Sequence, residues 1–198
     1  MLRILLSHYV HLPPQNIVFR YAITGKPALA RISSHTMSEL KFNLSHSCDL
    51  ALYAITLGRE VGVDVELVKP IPDFEKIAEQ YFSPTECEDL ASVSVDKKLE
   101  AFYSCWTRKE AYIKAVGEGL SIPLNSFSVP MQPGSPIRFT NSYAVPPQAS
   151  DWAFHELRPS NGYIGSLAFT RPDRSVHMWT FSSIMEAFEL LSRGDNSS

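Results

Sequence analysis

Residues 96–116 read DKKLEAFYSCWTRKEAYIKAV and carry the longest helical pattern in the chain. Gly117 follows directly, and Gly119 comes two residues later. A glycine after the last helical residue is a common helix end, because it adopts the left-handed backbone conformation without strain. The sequence therefore predicts a long helix over residues 96–116, and the rest of the chain is interpreted outward from it.

Before this helix the chain shows one helical and several strand-like segments. Residues 1–12 form an amphipathic pattern, yet no capping residue precedes it, which predicts that residues are missing ahead of Met1. Alternating apolar residues predict strands at 17–24, 41–45, 50–56 and 61–68. Residues 73–82 are predicted to be helical, and Ser83-Pro84-Thr85-Glu86 begins a further helix with a capping box.

Beyond Gly119 prolines separate shorter runs. Strands are predicted at 126–129, 137–140, 152–157, 163–170 and 176–181. A last amphipathic helix begins at Ser183 and ends at Gly194. Because each part of the chain mixes antiparallel strands with helices, we assign an α+β fold. We expect an N-terminal half, residues 1–95, and a C-terminal half, residues 96–198, that begins with the long helix.

Composition excludes several classes of protein. The chain has 198 residues, of which 44% are hydrophobic and 20% charged, the balance of an ordinary folded protein. A net charge of -3 gives no basic excess for binding nucleic acid. No apolar run approaches the roughly 20 residues of a membrane-spanning helix, and the N-terminus lacks a signal-peptide pattern. We expect a cytoplasmic protein without nucleic-acid or membrane partners.

The three cysteines are Cys48, Cys87 and Cys105. Their odd number and wide spacing argue against a disulfide framework or a zinc site built on thiolates. We expect all three to be small buried hydrophobic residues. Catalysis by Cys105 is the alternative, and it requires a histidine nearby.

A pair of carboxylates lies in Gly62-Val63-Asp64-Val65-Glu66. Side chains alternate along a strand, so Asp64 and Glu66 share one face, about 6.5–7 Å apart along the chain. Two carboxylates so placed can bind one cation, and oxygen ligands without thiols favour Mg²⁺ or Mn²⁺ over zinc. A half-exposed strand with a polar outer face is the alternative interpretation.

The long helix carries a second group of candidate residues. Trp106, Glu110 and Lys114 are spaced four apart and so lie along one helix face. A carboxylate there can act as a metal ligand or a base, and the lysine can contact a phosphate. An ordinary surface Glu–Lys pair would show the same spacing.

The third candidate is Phe42-Asn43-Leu44-Ser45-His46-Ser47, where a predicted strand enters a turn. Ser45 and His46 can hold a phosphate through hydroxyl, imidazole and backbone N–H groups. A solvated turn is the alternative. Glycine-rich phosphate loops are absent, which argues against a P-loop nucleotidase or a Rossmann dehydrogenase.

In their order along the chain these motifs resemble the 4′-phosphopantetheinyl transferases, in particular the Sfp-type branch. The matching stretches are residues 25–27, 42–47, 62–66, 81–86, 106–114, 117–120 and 126–129. The resemblance is close over residues 15–130 and loose in the C-terminal third. Gly-x-Asp-x-Glu followed by Trp-x-x-Lys-Glu-x-x-x-Lys is its most specific part.

The resemblance implies two similar α+β halves related by a pseudo-twofold axis, with coenzyme A bound in the cleft between them. The family's first segment, including basic residues that hold the 3′-phosphate of the nucleotide, has no counterpart here. The N-terminal half is therefore expected to be shortened.

Site residues are implied by the same resemblance. The implied ligands of Mg²⁺, or alternatively Mn²⁺, are Asp64, Glu66 and Glu110. The implied contacts to the nucleotide or its phosphates are Lys26, Pro27, Ser45, His46 and Lys114. The implied catalytic residues are Glu110, which takes a proton, and Lys114, which stabilises negative charge.

The activity so implied is transfer of 4′-phosphopantetheine from coenzyme A to a serine of an apo carrier protein, with release of adenosine 3′,5′-bisphosphate. The enzyme class is holo-[acyl-carrier-protein] synthase. An acyl or peptidyl carrier protein of fatty-acid, polyketide or nonribosomal-peptide biosynthesis is the expected partner, and we expect a monomer. The alternative is an impaired homologue that binds coenzyme A or carrier protein without turnover.

Overall fold

The computed structural model describes residues 1–30, 39–131, 138–139, 152–171 and 175–194. Within these residues the α-helices are α1 (Leu2–Val10), α2 (Phe74–Tyr81), α3 (Pro84–Ser92), α4 (Val95–Val116) and α5 (Ile184–Gly194). The strands are β1 (Phe19–Tyr21), β2 (Pro27–Leu29), β3 (Leu40–Ser47), β4 (Leu50–Leu57), β5 (Val61–Leu67), β6 (Phe127–Ser128), β7 (Arg138–Phe139), β8 (Trp152–Leu157) and β9 (Tyr163–Thr170). The predicted α+β class is confirmed.

All described strand pairs are antiparallel. They form the pairs β1–β2, β3–β4 and β6–β7 and a three-stranded sheet in the order β5–β9–β8. A helix followed by a short and then a longer strand pair occurs twice along the chain, as α1 with β1–β4 and as α4 with β6–β9. β5 precedes α4 in sequence yet pairs with β9, so this sheet joins the two predicted halves; the division at residue 95 stays a prediction.

Two predicted strands differ from the structure, and a third is only partly described. Residues 176–181 have no regular secondary structure. Met178 and Trp179 in this segment are exposed, so its apolar residues do not pack on a described sheet. The first predicted strand is reduced to β1, because the chain turns at Ala22–Lys26 with Gly25 at φ 85°. Of the strand predicted at 137–140, only Arg138–Phe139 lies among the described residues.

Helix α4 packs directly on β5, and Gly62 makes this contact possible. A Cβ atom at Gly62 would lie 2.1 Å from the Ala111 carbonyl oxygen and 2.4 Å from the Ala115 nitrogen. Ala111 and Ala115 are themselves fully buried. Small residues on both elements therefore allow the two backbones to touch, and this brings the last turns of α4 over the polar face of β5.

The three cysteines differ in exposure, and Cys87 is intermediate between the other two. Cys105 is buried, so the prediction of a small buried residue is confirmed for it, and burial raises the pKa of its thiol well above the usual value. The same prediction is wrong for Cys48, which is exposed in the β3–β4 turn with a left-handed φ of 52°. Among the described helices, none has both the length and the apolar character of a membrane span.

Candidate active site

Asp64 lies at the middle of β5, on the face that packs against α4, and its exposed fraction is only 4%. Its Oδ1 atom accepts hydrogen bonds from Lys114 Nζ at 2.6 Å and from Ser45 Oγ at 2.9 Å. Its Oδ2 atom is buried and has no hydrogen-bond partner within the described structure. Because an ionised carboxylate accepts through both oxygens, Asp64 keeps a buried acceptor for a further group.

Lys114 and Ser45 also contact each other, since Lys114 Nζ donates to Ser45 Oγ at 3.0 Å. Lys114 lies in the last turn of α4, and its side chain is partly exposed. Burial raises the pKa of the Asp64 carboxyl, while the Lys114 charge and hydrogen bonds from Lys114, Ser45 and the Val65 backbone oppose that rise. The three side chains form a compact polar cluster at the meeting point of β3, β5 and α4.

Side chains of β3 place Ser45 in this cluster. Although β3 and β5 belong to different sheets, Asn43 Oδ1 accepts from the Val63 backbone nitrogen at 2.9 Å. Ser47 Oγ accepts from the Leu67 nitrogen at 3.1 Å and donates to Glu66 Oε2 at 2.9 Å. Asn43 and Ser47 were not predicted as site residues; their alternation with Ser45 along one strand was the available signal.

Glu110 lies one helical turn before Lys114 and is half-buried. Burial raises the pKa of its carboxyl, the negative charges of Asp64 and Glu66 raise it further, and Lys114 lowers it. Its side chain makes no hydrogen bond to the described residues. An acid with a raised pKa and free oxygens is suited to accept a proton.

The three predicted metal ligands are electrostatic neighbours, but they are not gathered around one point. In the ranges that the structure describes, no group of three histidine, cysteine, aspartate or glutamate side chains is arranged to hold a metal ion. Glu66 is hydrogen-bonded to Ser47, and the cation nearest Asp64 is the Lys114 ammonium. The donor chemistry nevertheless fits Mg²⁺, because all three are carboxylates and Asp64 Oδ2 lacks a partner.

The five predicted nucleotide contacts fall into two groups. Ser45 and Lys114 belong to the polar cluster, and the other three lie outside it. Lys26 Nζ instead donates to the Ala115 carbonyl at 2.6 Å and lies 3.5 Å from Glu60 Oε2, so it caps the end of α4. Burial lowers the pKa of Lys26. Pro27 of β2 pairs with Tyr21 of β1, and His46 is exposed on β3. Within the described residues no hydrogen bond joins these three to Asp64 or Lys114.

A second buried charge pair fixes the opposite side of α4. Lys109 Nζ lies 2.7 Å from Glu86 Oε2, and neither side chain is exposed by more than 1%. Lys109 also donates to the carbonyls of Leu124 and Phe127 at 2.8 and 2.6 Å. The predicted capping box of Ser83 and Glu86 is confirmed. Sequence reasoning missed the pairing with Lys109.

A separate concave surface lies away from the polar cluster. It encloses about 650 Å³ and is lined in part by Lys97, Arg108, Glu156 and Arg158. None of the predicted site residues contributes to it. Arg108 and Arg158 both pair with Glu156, at 2.8 Å each. We therefore assign the candidate active site from the polar cluster and not from the size of this cavity.

Comparison with known families matches most of the chain. The family model described as the 4′-phosphopantetheinyl transferase superfamily matches residues 60–168. A model described as 4′-phosphopantetheinyl transferase, N-terminal, matches residues 1–57. The first match contains Asp64, Glu66, Glu110 and Lys114, and the second contains Ser45.

Individual relatives are also named as phosphopantetheinyl transferases. The chain is 34% identical over 168 residues to 4′-phosphopantetheinyl transferase HetI of Nostoc sp., covering 85% of this chain and 67% of HetI. It is 31% identical over 173 residues to 4′-phosphopantetheinyl transferase Sfp of Bacillus subtilis, covering 87% and 72%. It is 29% identical over 188 residues to the human L-aminoadipate-semialdehyde dehydrogenase-phosphopantetheinyl transferase, covering 89% and 61%. Other curated relatives are matched over about half their length.

Proposed function

The chain belongs to the 4′-phosphopantetheinyl transferase superfamily, and from this premise we propose that it transfers 4′-phosphopantetheine from coenzyme A to a serine of an apo acyl or peptidyl carrier protein. Adenosine 3′,5′-bisphosphate is the other product, and the reaction depends on Mg²⁺. The observation that carries the proposal is the cluster of Asp64, Ser45 and Lys114 beside Glu110, whose carboxyl has a raised pKa.

Glu110 is the proposed base. It accepts the proton of the carrier-protein serine as the serine oxygen forms a bond to the phosphorus that bears pantetheine. The bond from that phosphorus to the oxygen of the leaving adenosine bisphosphate breaks in the same step, so the leaving group keeps the electron pair. Burial and the charges of Asp64 and Glu66 raise the pKa of Glu110 in the metal-free site. With Mg²⁺ bound, that pKa would be lowered and Glu110 would stay in the carboxylate form that accepts the proton.

Lys114 is the proposed phosphate contact. Its ammonium rests on Asp64 and Ser45, and a partly exposed lysine of this kind can turn to an incoming phosphate with a small movement. There it stabilises the negative charge on the transferring group. Ser45 stays hydrogen-bonded to Asp64 Oδ1 and so keeps that carboxylate in place when the lysine moves.

Asp64, Glu66 and Glu110 are the proposed holders of Mg²⁺. A bound Mg²⁺ would neutralise charge on the pyrophosphate of coenzyme A. The residues support this through their oxygen-only donors and through the unpartnered Oδ2 atom of Asp64. Their mutual repulsion, visible in the effect of Asp64 and Glu66 on the pKa of Glu110, is a further reason to expect that a cation binds.

The test is the intact mass of an apo carrier protein after incubation with this chain, coenzyme A and Mg²⁺. We expect a gain of one phosphopantetheine group, and no gain when EDTA is present. A gain that persists in EDTA would contradict the role of the metal. No gain with several folded carriers would overturn the transferase proposal; retained binding of coenzyme A in that sample, measured by calorimetry, would favour the binding-only homologue.

A further inference from the structure

Ser166 lies directly opposite Asp64 in the β5–β9 pair. Directly opposed residues of an antiparallel pair present their side chains on the same face of the sheet. The neighbours of Ser166 at alternate positions of β9, Ile164 and Ala168, are buried in the same core as α4 residues Ala111 and Ala115. Ser166 is therefore on the α4 side of the sheet, next to Asp64.

Both residues have a buried polar atom without a partner. Ser166 has an exposed fraction of 1%, and its Oγ makes no hydrogen bond within the described structure. Asp64 Oδ2 is likewise buried without a hydrogen-bond partner, while Asp64 Oδ1 accepts hydrogen bonds from Lys114 and Ser45. Buried hydroxyl and carboxylate oxygens are rarely left unsatisfied in native proteins. Here a donor and an acceptor that lack partners come from two opposed residues.

We propose that Ser166 is a positioning residue of the candidate active site, and that its hydroxyl is linked to Asp64 Oδ2 through one bound water. The hydroxyl donates to the water, and the water donates to one lone pair of Oδ2, so both buried atoms gain a partner and Oδ2 keeps a second lone pair for a cation. Asp64 is then held at both oxygens, by Ser45 and Lys114 on one side and by Ser166 on the other. This second contact keeps the carboxylate oriented when Lys114 turns to a phosphate.

The inference concerns the same site as the proposed function, and it rests on that function for its consequence in cation binding. Groups that hold a metal-binding carboxylate from behind typically change metal affinity by about 10–100-fold when they are removed. We therefore expect Ser166→Ala to weaken Mn²⁺ binding by roughly tenfold, and Ser166→Thr, which keeps the hydroxyl, to retain most of the affinity.

The experiment has two readouts on the whole chain. Crystal structures of the metal-free wild type and of Ser166→Ala test the water directly: we expect density between Ser166 and Asp64 in the first and its loss in the second. Titration with Mn²⁺ alone, followed by electron paramagnetic resonance, gives the affinity. Ser128→Ala is the matched control, because it removes a buried hydroxyl that pairs with Ser83 away from the site, and it should leave Mn²⁺ affinity unchanged.

The outcomes separate this inference from the proposed function. Absence of the water in the wild type, or equal Mn²⁺ affinity in the wild type and Ser166→Ala, would overturn the positioning role. An equal loss of affinity in Ser128→Ala would also overturn it, because the effect would then be one of general stability. A wild type that shows the water but binds no Mn²⁺ would contradict the metal in the proposed function and leave the hydrogen-bonded link to Asp64 established.

Discussion

Lys109 and Glu86 form an ion pair with 2.7 Å between Nζ and Oε2, and both side chains are excluded from solvent. Removing one partner of such a pair leaves an uncompensated charge in the core, which typically costs about 3–5 kcal/mol. The pair also joins α4 to the segment that contains Leu124 and Phe127. It therefore fixes the rotation of α4 about its axis, and with it the direction of the adjacent Glu110.

We expect Lys109→Met to lower the free energy of unfolding by about 3–5 kcal/mol, measured by urea denaturation. The same change at Lys98, whose pair with Glu75 is solvent-exposed at 2.8 Å, should cost less than about 1 kcal/mol. Equal losses of unfolding free energy in the two variants would show that the buried pair stabilises the fold no more than the exposed one.

Gly62→Ala should be more destabilising than a typical glycine substitution. The new Cβ would meet the backbone of α4 at 2.1 Å, and backbone atoms cannot rotate away, so helix and strand must separate. We expect a loss of at least the roughly 1–3 kcal/mol of core overpacking. Gly58→Ala is the control, because its Cβ would meet nothing within 4 Å and would add only the strain of a positive φ. Similar unfolding midpoints for the two variants would contradict the close contact.

Glu110→Gln should abolish most of the transfer to carrier protein while the fold is kept. Loss of a general base typically costs about 10²–10⁴-fold in rate, measured by the intact-mass assay as a time course. Glu100→Gln is the matched control on the same helix, where the carboxylate is exposed and pairs with Arg158, and it should react as the wild type does. Unchanged turnover in Glu110→Gln would refute the assignment of the base.

Glu110→Gln should also change how the free energy of unfolding depends on pH. The pKa of Glu110 is raised above its ordinary value of 4.5 by burial and by Asp64 and Glu66. The native state therefore keeps a proton that the unfolded state has released, and the free energy of unfolding falls as the pH rises through this range. Glu110→Gln should be more stable than the metal-free wild type near neutral pH, with the difference shrinking below pH 4.5. Parallel stability profiles in urea denaturation would speak against a raised pKa.

The sequence predicted the elements that local patterns determine. The helix predicted at 96–116 is α4, shifted by one residue at its start, and the capping box at Ser83 is present. Both are signalled by residues within one or two helical turns. The predicted strand at 176–181 is wrong because alternation alone does not supply a partner strand.

At the site the sequence named candidate residues without their geometry. It grouped Asp64, Glu110 and Lys114 by resemblance, and the structure places Lys114 on Asp64. The contacts of Lys26 with Ala115 and of Lys109 with Glu86 join residues far apart in the chain. Such contacts depend on how helix and sheet pack, and no local pattern encodes them.

The boundary between β3 and β5 is held by the side chains of Asn43, Ser45 and Ser47. Backbone ladders of a sheet open only when several hydrogen bonds break together, whereas these single contacts open one at a time. The two sheets can thus separate slightly at this line while each keeps its own ladder intact. Hydrogen exchange at the amides of Val63 and Leu67, which donate to Asn43 and Ser47, would report this separation.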